Sequence, residues 1–152
     1  MHKFRAQADV YVGELKEKGT RLDRPRRLTV SDSLDVPDSW TRDSRAVLFE
    51  SNRTGNKQIF RQQLENDTAE PLTQGPDDET SATLSPDGAW ILYWATANSG
   101  KYPPASKRLM RLPASGGPPE QVLETPYVAE SFSTVPLIQV VPVSSAAWNK
   151  VM

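Results

Sequence analysis

The segment WTRDSRAVLFES, residues 40–51, returns as LSPDGAWILYWA, residues 84–95, so that Asp43 aligns with Asp87, Val47 with Ile91, Leu48 with Leu92 and Phe49 with Tyr93. The offset is 44 residues, read from Asp43 to Asp87. Further along, Ile59, Phe60 and Arg61 align with Leu109, Met110 and Arg111, and Glu70, Pro71 and Leu72 with Glu120, Gln121 and Val122, at an offset of 50. An insertion of six residues accounts for the change; it lies between Asn98 and Lys107, where Gly100, Pro103 and Pro104 mark a loop. Upstream, Val10, Tyr11, Val12 and Leu15 match Ile59, Phe60, Arg61 and Leu64, and Arg27, Leu28 and Thr29 match Pro71, Leu72 and Thr73. That is the second half of an earlier unit. A chain built this way must fold as an array of like units, each covering the apolar face of the next.

Each unit reads as four short strands. Over residues 89–95, Trp90, Leu92 and Trp94 fall on one side and Ile91 and Tyr93 on the other, so a strand covered on both faces is expected. Residues 46–49 share that pattern. Residues 58–64 mix Phe60 and Leu64 with Arg61, Gln62 and Gln63, as in a strand nearer solvent. Ser85, Pro86, Asp87 and Gly88 form a turn in which Pro presets φ, Asp bonds its own backbone and Gly accepts positive φ. Residues 51–56 are a second hairpin signal. With 13 prolines scattered through the chain and no sustained helical spacing, the expected class is all-β. A period of ~40–50 residues carrying four strands marks a propeller blade.

The segments SPDGAWILYWA, TRDSRAVLFESNRTGNKQIFRQQL and RLMRLPASGGPPEQV together resemble the WD40-like (PD40) propeller repeats of TolB and its relatives, over about residues 8–123. Arg42 and Ser44 stand where that family favours Pro and Gly, so the first copy's turn is expected to be less well preset. The copies are also similar to propeller segments that follow bacterial serine/threonine kinase or winged-helix domains. The resemblance implies an all-β partial β-propeller of about two and a half four-stranded antiparallel blades. Residues 1–123 form the incomplete propeller, with a half blade at 8–30 and blades at 35–73 and 78–123. Closed propellers need ~4–8 blades. Residues 124–152 lack an Asp-Gly turn and read either as a weakly specified strand or two on the preceding blade, or as an abnormal terminus.

Composition narrows the chemistry. The 152 residues leave room for one ordinary domain, and 18 basic against 19 acidic residues give a net charge of -1, so nothing draws the chain to nucleic acid. There is no cysteine, and the single histidine is His2, which leaves neither a thiolate nucleophile, a Ser-His-Asp triad of ordinary placement, nor a multi-His metal site. No cofactor is expected. The start of the chain has no apolar run of secretory type, and the greasy stretch at 135–143 is broken by Pro136, Gln139 and Pro142, so no membrane insertion is expected; the compartment stays open.

The remaining candidates are binding residues. Asp77, Asp78 and Glu79 lie in the connection between blades and read as a solvated loop rather than a cation site, for which the spaced acidic loop is missing. In an up-and-down blade this connection and the loop at 98–107 emerge at the same end, which places Lys101 and Tyr102 beside the acidic trio as a docking rim. Arg21, Arg24, Arg26 and Arg27 read as a strand edge protected by charge. Trp40, Trp90 and Trp94 read as core, and residues 115–119 as a tight turn. The expected function is a non-catalytic scaffold binding a protein or peptide within a larger bacterial regulator or sensor. The other readings are the gating propeller of a prolyl-oligopeptidase-like serine peptidase and a TolB-like envelope protein. Uncovered blade faces imply self-association.

Overall fold

The computed structural model describes residues 7–98 and 106–126 in full and the backbone of residues 150–151. The strands are β1 (Tyr11–Lys16), β2 (Arg21–Arg27), β3 (Asp35–Trp40), β4 (Ala46–Ser51), β5 (Gln58–Gln63), β6 (Glu70–Pro71), β7 (Asp78–Leu84), β8 (Trp90–Thr96), β9 (Ser106–Pro113), β10 (Glu120–Pro126) and β11 (Lys150–Val151). Among the described residues they make three antiparallel sheets, ordered β11-β1-β2, β3-β4-β5-β6 and β7-β8-β9-β10. The helical content of these residues is one 3₁₀ turn, Glu17–Gly19. The result is an all-β, partial propeller.

Alternation along β4 builds the array. All six of its residues are buried. Val47 and Phe49 point to the first sheet, where they meet Val10, Val12 and Leu28, while Leu48 points to the third, where it meets Ile91, Tyr93 and Leu112. One strand therefore supplies both interfaces, because its side chains change face at every residue. Phe49 stacks on Phe60 with ring centroids 5.8 Å apart, and the Arg53 guanidinium lies 4.7 Å from the Phe60 ring.

Two readings from the sequence need correction. β8 is covered on one side: Ile91, Tyr93 and Ala95 are buried against the second sheet, whereas Trp90, Leu92 and Trp94 are half-buried on a face that no other sheet of the described residues reaches. Trp40, by contrast, packs against the core between the first two sheets. β5 is not a solvent-side strand, because Gln58 and Gln62 are buried. Their amides satisfy backbone groups across a seam: Gln62 donates to the Leu28 carbonyl at 2.8 Å, joining the second sheet to the first. Hydrogen bonds of this kind allow a polar side chain to be buried.

The turns follow their chemistry. Gly88 has φ +74° and donates its N–H to the Ser85 carbonyl at 2.8 Å. The first copy closes in the same way, Ser44 donating to Thr41 at 2.8 Å, although Ser44 is not glycine and adopts φ +55°. Thr41 donates to Asp43 at 2.7 Å and Asp43 accepts from the Arg45 N–H at 3.0 Å, which holds the Asp43 carboxyl below the usual range, as Ser85 and the Ala89 N–H do for Asp87 in the second copy. Arg42, in place of proline, reaches across to the Asp87 carbonyl. Its Cδ stands 2.9 Å from where a Cβ on Gly88 would sit. Gly88→Val is therefore expected to destabilise by about 1–2 kcal/mol from the left-handed backbone alone, with a further loss from the collision. Denaturant melts of Gly88→Val, Arg42→Ala and Gly88→Val/Arg42→Ala check both parts: measured against Arg42→Ala, which loses the bond to Asp87, the double variant should show the backbone cost without the collision. An unchanged midpoint for the single variant would count against the hairpin.

Candidate functional site

The turn between β4 and β5, the connection from β6 to β7 and the start of the loop after β8 emerge at one end of the sheets. Asn56 ties them together. Its amide nitrogen donates to the carbonyls of Gly75, at 3.3 Å, and Pro76, at 2.9 Å, and its carbonyl accepts from the Asn98 amide at 3.0 Å. Gln58 adds a bond to Gly75 at 3.2 Å. The rim continues towards the first sheet, where Asn52 accepts from the Leu34 N–H at 2.9 Å and fully buried Asp35 takes Ser51 at 2.6 Å and Arg53 at 2.9 Å. Asn56 was legible in the sequence as part of a turn, but not as the residue that joins three loops.

The acidic trio is not a solvated loop. Asp78 and Glu79 open β7, and only Asp77 lies in the connection. Asp77 pairs with Arg108, and Asp78 accepts from the Lys57 N–H at 2.9 Å. Glu79 is buried; its N–H donates to the Lys57 carbonyl at 2.8 Å, and its carboxyl meets Thr73 while Oε2 finds no hydrogen-bond partner. Burial pushes the Glu79 carboxyl up, against the Thr73 hydrogen bond. The reason for the difference is register: the strand begins inside the run of carboxylates, and alternation turns Glu79 into the seam between sheets. Lys101 and Tyr102 lie outside the described residues.

A second carboxyl sits in the same seam. β3 bulges between Pro37 and Ser39, and β7 between Thr80 and Thr83. The bulges face each other, so that Asp38 accepts from the backbone of Ala82 and Ser81 while Ser39 donates to the Ala82 carbonyl at 2.9 Å. Asp38 Oδ2 is buried without a partner. Desolvation, with Glu50 adding repulsion, pushes its carboxyl up to about 7 despite the backbone donors and Lys57, which is itself paired with Glu50 at 2.9 Å.

At the opposite end, a groove of about 380 Å³ is lined by residues that include Arg42, Arg61, Gln63 and Gly88. Both guanidiniums are engaged there, Arg42 with the Asp87 carbonyl and Arg61 with the Ala114 carbonyl at 3.1 Å. They staple the second sheet to the third. The basic cluster lies on β2, at the outer edge of the first sheet, and Arg21, Arg24, Arg26 and Arg27 are exposed there. Residues 115–119 turn β9 into β10, with Gly116 donating to the Pro113 carbonyl at 2.9 Å. Among the described residues, no group of three or more His, Asp or Glu side chains could hold a metal ion, and no helix is long and apolar enough to cross a membrane.

The model of the TolB beta propeller domain matches residues 3–141. The chain belongs to this TolB propeller family. The structure is similar to that of putative TolB from Agrobacterium tumefaciens, with a TM-score of 0.60 at 24% identity, covering 68% of this chain and 38% of that one. It is also similar to TolB from Acinetobacter baumannii, with a TM-score of 0.51 at 24% identity, covering 68% of this chain and 24% of that one. At this identity the likeness shows the fold. The TolB-like chain thus spans well under half the length of either solved relative. No curated protein matches its sequence.

Within this TolB-like frame, Asp38 gives a pH test. Its folded pKa, about 7, lies above the ordinary 3.8, so its favourable contribution is complete below the unfolded value and is lost as pH rises through 7. Asp38→Asn should flatten the fall in stability between about pH 4 and 7 and raise the melting temperature at pH 8, read by thermal melts from pH 4 to 8. A variant with an unaltered pH slope would show that the carboxyl is solvated.

Proposed function

We propose that the chain is a non-catalytic propeller scaffold that docks a protein or peptide at its loop rim, as part of a larger bacterial regulatory or sensor protein. The carrying observation is the Asn56 bridge, which fixes loops of two successive sheets against each other through Gly75, Pro76 and Asn98. A rim already held in place loses little conformational freedom when a partner binds. Lys101 and Tyr102 belong to the insertion that follows Asn98 in the sequence, and tyrosine supplies a large contact area at low entropic cost. Asp77 contributes through its pair with Arg108, whereas buried Glu79 supports the rim from beneath rather than touching a partner. The family favours the reading too, since TolB-like propellers are in general non-catalytic and mediate protein interactions. The same match supports a second reading, an envelope protein of TolB type.

Selection of displayed peptides against the 152-residue chain tests the docking surface. Selected peptides should bind the native chain and lose at least about tenfold in affinity, about 1.4 kcal/mol, on Tyr102→Ala. They should also weaken on Asn56→Ala, which frees the loops without removing a contact. Peptides indifferent to both substitutions would place docking elsewhere, and cleavage of a bound peptide would end the non-catalytic reading.

A further inference from the structure

The repeat assigns a role to each face of each sheet. The second sheet grips the third with Leu48 and Ile59, whose equivalents in the third sheet are Leu92 and Leu109. Those two lie on the face of the third sheet that no other sheet of the described residues reaches, where pairing sets Trp94, Leu109 and Leu123 in one row across β8, β9 and β10 and leaves Leu109 9% exposed. Leu123 is 50% exposed, and beside this row the Arg111 guanidinium lies over Trp90 at 4.1 Å. In the other direction, the second sheet grips the first with Phe49 and Phe60, and the equivalent of Phe60 in the first sheet is Tyr11. Tyr11 is 54% exposed and Leu22 48%. Leu22 lies across Gly13, its Cδ1 2.7 Å from where a Cβ would stand, so glycine lets the leucine flatten onto the open face.

Among the described residues no sheet covers either face, and the two are the two halves of the interface that the chain already forms twice within itself. We propose that a second copy of this chain covers them, the Tyr11–Leu22 face of one copy packing on the Leu92–Leu109 face of the other, and reciprocally. The pairing is head to tail and closes on a two-fold axis. Three sheets from each copy give six in the ring, inside the range in which propellers close, ~4–8 blades. β11 pairs with the free edge of β1, Gly13 opposite Val151, so the first sheet enters the ring with three strands. This assembly shares no residue with the loop rim.

Sedimentation of the 152-residue chain over a range of concentrations tests it. A closed dimer is expected, and Tyr11→Arg and Leu123→Glu should each shift it to monomer by at least about a hundredfold in Kd. Both residues are exposed in the single chain, so far-UV circular dichroism and the melting temperature of the dissociated variants should show intact folding. Mixing the two variants is the decisive arm. A mixed pair keeps one undamaged interface, Tyr11 of one copy against Leu123 of the other, and should re-associate where neither variant alone does. A native chain that is monomeric at every concentration overturns the proposal. So does a dimer indifferent to Tyr11→Arg, which would indicate face-to-face pairing of two third sheets.

Discussion

A β-sheet whose strands are apolar on both sides has no stable place in water unless something lies against each face, and the second sheet is organised by this requirement. Val47 and Phe49 go one way and Leu48 the other, and all of β4 disappears from solvent. Burying each large side chain of this kind contributes roughly 1.5–3 kcal/mol, so the central strand is a main support of both sheet interfaces, together with Ile59 and Phe60 of β5. The spacing of the turns, the short outer strand β6 and the staples of Arg42 and Arg61 adjust an arrangement that this strand already dictates.

Polar groups in the seams do a different task. Asp35 with Ser51 and Arg53, and Gln62 with the Leu28 carbonyl, satisfy their hydrogen bonds in places where water is excluded. Such groups add little net stability compared with apolar substitutes, but a wrong register would leave them unpaired at a cost of several kcal/mol. Asp38 and Glu79 go further, each with one oxygen lacking a partner at the junction of the second and third sheets. They make that seam weaker at neutral pH than its apolar contacts alone would suggest. Ser81, in the bulge against Asp38, also holds φ at +61°, so backbone strain and desolvated charge coincide there.

The repeat made the strands, the two hairpin turns and the sheet-on-sheet stacking legible, because apolar alternation and Pro-Asp-Gly chemistry act locally. What stayed hidden depends on neighbours distant in sequence. Glutamine is polar whether exposed or buried, and only the carbonyl of Leu28, 34 residues away, separates the two for Gln62. The run Asp77, Asp78, Glu79 looks uniform, yet the strand starts within it and sends Glu79 inward. Asn56 gave a turn signal and nothing more, since its partners belong to two other loops. Arg42 looked like damage to a turn. Its value lies in the next sheet, where it meets the Asp87 carbonyl, an interaction proline could not make.

The geometry also separates assembly from recognition. Sheets cover one another through their broad faces, with side chains perpendicular to the strands, whereas loops leave from strand ends and point along them. Residues such as Leu92 and Tyr11 therefore act in one direction and the Asn56 rim in another. Packing a further sheet against either open face would leave the loops at the rim accessible. It would also restrain them, because β8, which carries Asn98 beyond its end, is then held from both sides, as β4 already is. Stacking and docking are linked in this way through the stiffness of one strand rather than through any shared residue.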